Sequence, residues 1–202
     1  MERTMNIAVI AGGNRINSTS TLLLRYMEKE LIKQDIEVTF IDLHKLPLPL
    51  YSADQPEITQ ELQLPIFTSP ETMEYFENNV KQLVEAAQIA DGLILGTPEY
   101  HGSFSGTLKN ALDYLGSAQF EGKPVLVASS AAGAVGVSSL TQLQTIVRNL
   151  HGINCTEWVS IGGDNRNFGE DGEPEQDKVK QRVLYALEHL TRLVRQLRLS
   201  GE

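Results

Sequence analysis

Two short stretches of this 202-residue sequence place ligand-holding residue types where a strand would hand over to a helix. The first is Gly12-Gly13-Asn14-Arg15-Ile16-Asn17-Ser18-Thr19-Ser20. Gly12 and Gly13 permit close backbone approach. Ser18, Thr19 and Ser20 bring hydroxyls to the point where unpaired helix N–H groups begin, the end that anions favour. Arg15 adds a charged donor. The same residues also fit a plain alternative, an N-cap serine beside a solvated arginine. The second stretch, Thr97 to Leu115, follows the apolar run Gly92-Leu93-Ile94-Leu95-Gly96. Pro98 stiffens it, Gly102 and Gly106 open it, and Leu108, Ala111, Leu112 and Leu115 close it with a helical spacing. A loop leaving the carboxyl end of a parallel strand is where open α/β sheets bind ligands.

Other chemistries lack their motifs. No G-x-x-x-x-G-K-[ST] is present, so nucleoside triphosphate hydrolysis has no support. Gly102-Ser103-Phe104-Ser105-Gly106 puts Phe where a nucleophile elbow needs Ser. The histidines His44, His151 and His189 are scattered without metal-ligand spacing. The single cysteine, Cys155, lies in an alternating strand-like run and reads as a small core residue.

The wording P-E-Y-x-G-S (from Pro98) followed by G-x-L-K-N-A-L-D (from Gly106) closely resembles the signature of the NADPH-dependent FMN reductase family. That family has a flavodoxin-like fold and includes quinone, chromate and azo-dye reductases. The resemblance implies bound FMN, with NADPH or NADH as co-substrate and hydride passed to a small acceptor: free flavin, quinone, chromate or an azo compound. It assigns the phosphate to Gly13, Arg15, Ser18, Thr19 and Ser20, since the first stretch is similar to the family's G-S-x-R-x-x-S-x-N. Gly13 departs there from a serine and Ser20 from an asparagine. Pro98, Glu99, Tyr100, His101 and Gly102 would wrap the isoalloxazine, with His101 standing where relatives commonly carry Asn. A third contact, at the ring's pyrimidine edge, falls to Ser129, Ser130 and Gly133 in a loop after the fourth strand. Relatives often carry an Arg beyond it, where this chain has Val137-Ser138-Ser139. No side chain need act as nucleophile, and a single open flavin face implies a ping-pong scheme. The family also suggests a homodimer or homotetramer, with Tyr51–Ser69 as a candidate arm. The alternative class is a flavodoxin-type electron carrier without NAD(P)H activity; a flavin-free regulatory protein on the same fold is a third reading.

The elements needed to position these loops are legible. Strands are expected at Asn6–Ala11, Ile36–Leu43, Leu93–Gly96, Val125–Ala128 and Ile153–Ile161. Amphipathic helices are expected after the first loop (Leu23, Met27, Leu31 inward) and over Met73–Gln88, Ser138–Leu150 and Gln176–Leu197. Five alternations call for a parallel sheet with helices on both faces. The α/β class follows, as a flavodoxin-like three-layer sandwich whose five-stranded parallel sheet has the order 2-1-3-4-5. Gln55–Ser69 reads as an insertion, and Gly162–Glu175 as a mobile acidic surface loop.

Length and composition bound the rest. Residues 1–202 fit one domain with a full-sized core. A net charge of −9 argues against nucleic-acid or anionic-membrane binding. The apolar run Ile7–Ala11 is too short for a signal-peptide core or a membrane span, so a cytoplasmic location is expected.

Overall fold

The computed structural model describes residues 3–53 and 69–200. Five strands form a parallel sheet: β1 (Asn6–Ala11), β2 (Glu37–Asp42), β3 (Gly92–Tyr100), β5 (Pro124–Ala131) and β6 (Ile153–Gly162). Their spatial order is β2-β1-β3-β5-β6, and a two-residue strand, β4 (Ser103–Phe104), pairs antiparallel with the end of β3. The parallel strands thus follow the expected flavodoxin-like order, with the chain reversing direction across the sheet between β1 and β3.

Period-two alternation splits each central strand between two cores. Ile7, Val9 and Ala11 of β1, with Ile94, Leu126 and Val159, face α1 (Thr19–Ile32) and α6 (Asp177–Ser200). Ala8, Ile10, Leu93, Leu95, Val125 and Val127 face the other layer. That layer holds α2 (Pro70–Ile89), α3 (Gly106–Asp113), α4 (Ser117–Phe120) and α5 (Val137–Asn149). Leu23, Met27 and Leu31 on α1, and Leu108, Ala111 and Leu112 on α3, are buried as their spacing predicts. On α6 the stripe from Val179 to Val194 is buried, but Leu197, expected with it, is 38% exposed. No described helix is long and apolar enough to cross a membrane.

Two expected loops turn out to be strand. β3 does not stop at Gly96: Thr97 and Pro98 stay in register with Ser129 and Ser130 of β5, and Glu99 and Tyr100 pair with β4. Likewise Ser129, Ser130 and Ala131 belong to β5, opposite Ser160, Ile161 and Gly162 of β6. In both cases ladder hydrogen bonds to a neighbouring strand extend an element whose own residues are polar or carry proline. Helix α2 starts at Pro70, three residues before the expected Met73, because Ser69 caps it by accepting from the Thr72 N–H at 3.3 Å. The insertion expected over Gln55–Ser69 lies almost wholly outside the described residues.

The acidic stretch after β6, expected as a mobile loop, is anchored. It holds a 3-10 turn at Gly163–Arg166 and a bridge between Phe168 and Pro174. Its Glu173 carboxylate accepts from Lys29 of α1 at 2.7 Å and from Lys180 of α6 at 3.1 Å. These two ammonium groups pull the Glu173 pKa down to about 2. A carboxylate with a depressed folded-state pKa stabilises the fold above its unfolded value near 4.5, and loses that contribution as pH falls toward the folded value. The Glu173→Gln variant should therefore show a shallower fall in melting temperature between pH 5 and pH 2 than the parent chain, in parallel thermal melts at ~50 mM salt, where exposed pairs are weakly screened.

Candidate functional site

Three segments converge at the carboxyl edge of the sheet: the β1–α1 loop, the β3–β4 hairpin, and the end of β5 with the loop into α5. Polar residues between them fix their spacing. The Gly12 N–H donates to the Gly96 carbonyl at 2.8 Å, and the Gly12 carbonyl accepts from Ser105 Oγ at 2.7 Å. Ser105 is also the N-cap of α3, accepting from the Leu108 N–H at 3.1 Å. Its own N–H donates to Thr97 Oγ1 at 2.9 Å. Thr19 Oγ1 at the start of α1 lies 2.7 Å from Ser130 Oγ at the end of β5. A buried network thus joins the first two segments, and the half-buried Thr19–Ser130 contact ties the first to the third.

In the first loop the N–H groups of Gly13 to Asn17 make no hydrogen bond to the rest of the described chain, and neither do those of Thr19 to Thr21 in the first turn of α1. Ser18 is the N-cap, yet its hydroxyl bonds Ser20 Oγ at 2.9 Å instead of turning back onto the helix. The end of a 14-residue helix is thus left open, its donors and macrodipole available to an anion. Gly13 is held by packing. A Cβ there would lie 2.5 Å from Ser18 Oγ and 2.8 Å from Thr21 Oγ1, so the serine of the family pattern does not fit this loop without movement. Arg15 is exposed and has no side-chain partner among the described residues.

The hairpin tip owes its shape to its two central residues. His101 and Gly102 have φ of 52° and 75°, the left-handed pair that a two-residue type I′ turn requires. A Cβ on Gly102 would meet only Ser138 Oγ, at 3.9 Å, so within the protein it is the backbone conformation that demands glycine. His and Asn both visit this region more readily than other side chains, which accounts for His101 at a position where the family carries Asn. Tyr100 is half exposed beside this tip and Pro98 is buried behind it.

Glu99 has a structural task. Its carboxylate accepts from the Ser139 N–H at 3.0 Å and so caps the start of α5. Gln142, one turn further along α5, donates to the Gly102 carbonyl at 2.8 Å and accepts from Ser103 Oγ at 2.7 Å. The hairpin is thus clamped to α5 at both its root and its tip.

Of the β5 residues, Ser129 is fully buried, and its hydroxyl donates to the Gly136 carbonyl at 2.8 Å. Gly136 N–H in turn donates to Ser160 Oγ at 2.7 Å. These bonds fold the loop from Ala132 to Val135 outward. The N–H groups of Gly133, Ala134 and Val135 make no hydrogen bond to the described chain, and the side chains there are small or exposed. Such a surface presents backbone donors to a ligand edge.

The structure therefore brings Gly13, Ser18, Thr19, Ser20, Tyr100, His101, Gly102, Ser130 and Gly133 to one edge, while Glu99 and Ser129 act through the loops they hold. Sequence reading missed Thr97, Ser105, Ser139, Gln142 and Ser160. Ser105 had a local signal, a serine three residues ahead of the helical Leu108; the others are linked only by tertiary contact. Cys155 is buried, and desolvation with help from Glu157 pushes its thiol up to about 12, so it stays protonated. No three His, Cys, Asp or Glu residues among those described lie close enough to hold a metal. The site offers donors for a phosphate and for a heterocycle edge; the hydroxyls of Thr97, Ser105 and Ser129 bond backbone, Ser18 pairs with Ser20 and Thr19 with Ser130, and Thr21 Oγ1 is buried without a partner among the described residues.

Comparison with known proteins agrees with this geometry. Residues 5–166 match the family model described as NADPH-dependent FMN reductase. The chain is 36% identical over 164 residues to FMN-dependent NADPH-azoreductases of Staphylococcus aureus, covering 81% of this chain and 80% of theirs. The flavoenzyme NAD(P)H:(acceptor) oxidoreductase of Paracoccus denitrificans superposes with a TM-score of 0.69 at 20% identity, over 96% of this chain and 98% of that one. An NADH:FMN oxidoreductase in its apo form superposes at 0.67 and 21% identity, over 93% and 88%. The chain belongs to the NADPH-dependent FMN reductase family and is an NAD(P)H-dependent flavoenzyme with FMN as its cofactor.

Proposed function

We propose that this chain transfers hydride from NAD(P)H to a planar aromatic acceptor, an azo compound or a quinone, at one open flavin face. The observation that carries this reading is the set of unpaired donors at the carboxyl edge, Gly13 to Asn17 and Thr19 to Thr21 on one side and Gly133 to Val135 on the other. FMN, when bound, supplies the two-electron redox chemistry. The protein's part is to hold and orient it. Backbone N–H groups of the first loop, the hydroxyls of Ser18, Thr19 and Ser20, and Arg15 would take the phosphate. The Pro98–Gly102 hairpin would support the ring, and the Gly133–Val135 N–H groups would meet the pyrimidine edge, where negative charge gathers on reduction. Small and glycine residues from Ala132 to Gly136 leave room above that ring. Tyr100 (50% exposed) and Val135 (57% exposed) offer apolar surface to an aromatic acceptor. The azoreductase activity of the Staphylococcus aureus relatives supports the same acceptor class. Leu50 (83% exposed) and Tyr51 (40% exposed) on the β2–α2 connection suit the contact of a homodimer or homotetramer.

A phosphate contact from a charged or hydroxyl donor contributes roughly 1.5–3 kcal/mol. Arg15→Ala combined with Ser18→Ala should therefore weaken FMN by at least tenfold, read by flavin fluorescence titration; unchanged affinity removes the phosphate assignment. Gln142→Leu should keep the fold, since Gln142 is half-buried and its three bonds go only to the hairpin and its own helix. It should lower flavin affinity several-fold by freeing the tip, with a melting temperature of the apoprotein close to the parent's. For the reaction, anaerobic NADPH should bleach the flavin with no acceptor present. Initial rates at several acceptor concentrations should then give parallel double-reciprocal lines. Convergent lines would sink the shared-face scheme.

A further inference from the structure

The carboxyl edge is rich in hydrogen-bond donors but poor in groups able to give up a proton. In the β1–α1 loop, the β3–β4 hairpin and the end of β5 with its loop, the titratable side chains are Arg15, Glu99, Tyr100 and His101. Glu99 spends its carboxylate on the Ser139 N–H at 3.0 Å. A guanidinium does not release its proton in proteins, and a phenol ordinarily holds its own well above neutrality. Imidazole is the side chain whose ordinary range straddles neutral pH, which suits it to passing protons.

His101 combines a fixed backbone with an unspent side chain. It follows the last ladder pair of the hairpin, Tyr100 with Ser103, and forms the tip together with Gly102. Helix α5 holds that tip: the Gln142 amide donates to the Gly102 carbonyl at 2.8 Å, and its oxygen accepts from Ser103 Oγ at 2.7 Å. The side chains that meet the tip, Ser103 of β4 with Ser138 and Gln142 of α5, are all uncharged. The imidazole itself is exposed and has no hydrogen-bond or ion-pair partner among the described residues. Its backbone φ of 52° is a conformation that glycine adopts more readily, and the ring makes no hydrogen bond within the protein to offset that cost. Packing alone therefore does not call for histidine here.

We propose that His101 gives its imidazolium N–H proton to the azo compound or quinone as hydride arrives there, an assignment that rests on the acceptor class proposed for this flavin face. Reduction of an N=N bond or a quinone takes two electrons and two protons, and hydride brings the electron pair with only one of the protons. Hydride originating in NAD(P)H forms an N–H bond at one azo nitrogen, or an O–H bond at one quinone oxygen. The π pair shifts to the other nitrogen or oxygen, which bonds the imidazolium proton and completes the hydrazine or hydroquinone. The imidazole left behind recovers a proton from water, and no further oxidant or reductant enters. Charge building on the acceptor is neutralised as it forms, a general-acid contribution of about 10²–10⁴-fold in rate.

The test uses FMN-loaded enzyme reduced anaerobically with stoichiometric dithionite. It is mixed in stopped flow with a benzoquinone, or with ferricyanide, which takes electrons without protons. Per bound flavin, the ratio of the quinone rate to the ferricyanide rate should fall by about tenfold or more in His101→Asn. Asparagine tolerates the left-handed backbone, so the tip persists in that variant. Apart from turnover, a quinone titrated into the oxidised parent holoenzyme should shift the His101 ring proton resonances, assigned by their loss in His101→Asn. An unchanged ratio, an equal fall for both acceptors, or ring resonances that do not move would each overturn the proposal. So would a ratio that falls in Tyr100→Phe but not in His101→Asn, which gives the proton to the phenol. Dithionite replaces the nucleotide in this comparison, so failure of NADPH to bleach the flavin would sink the hydride-donor reading separately and leave the test of His101 standing.

Discussion

The hydroxyl of Ser105 is the point through which the ligand-facing edge of this protein is held together. It is buried, donates to the Gly12 carbonyl and accepts from the Leu108 N–H, so one oxygen joins the first loop to the start of α3. A backbone carbonyl and a helix N–H that would otherwise be orphaned are satisfied by the same group, and leaving either unmet in a dry environment is costly. Thr97 extends the link by accepting from the Ser105 N–H and donating to the Pro98 carbonyl. The first loop is consequently free to leave its own N–H groups pointing outward, because its carbonyl side is already anchored.

The same economy recurs at α5. Glu99 and Gln142 tie the hairpin to the helix, and Ser129, Ser139 and Ser160 hold Gly136, so the loop before it exposes backbone donors instead of consuming them. Polar residues near a binding edge thus divide into two sets. Some lie at the open edge, and others bond backbone and so leave neighbouring N–H groups unpaired. Catalysis by a bound redox cofactor asks for this kind of rigid positioning more than for reactive side chains.

Much of the architecture was legible because it depends on local periodicity. Continuous apolar runs marked β1 and β3 as buried strands, and the spacing of Leu108, Ala111, Leu112 and Leu115 marked the inner face of α3. Strand ends were misjudged for one reason: Thr97-Pro98-Glu99-Tyr100 and Ser129-Ser130 have little strand character of their own. They are strand because neighbouring strands β4, β5 and β6 offer them hydrogen bonds, and that offer is a tertiary fact. The division of labour between Glu99 and Tyr100, adjacent in sequence, was hidden likewise. Alternation sends one side chain to α5 and leaves the other exposed at the hairpin.

By itself, then, the sequence determined the class of fold, the order of its strands and the two stretches that the fold brings to its carboxyl edge. Those follow from hydrophobic period, from glycine and serine at strand-to-helix junctions, and from a motif long enough to mark a family. Tertiary structure alone decided which hydroxyls face outward and which are spent within. It also decided that Arg25, His44 and Lys45 share a cleft with Arg15. The reason is distance along the chain: hydrogen bonds made across 24 to 111 residues, or a charge cluster drawn from separate elements, have no local pattern, and appear only when β1, β2 and their neighbours are laid side by side.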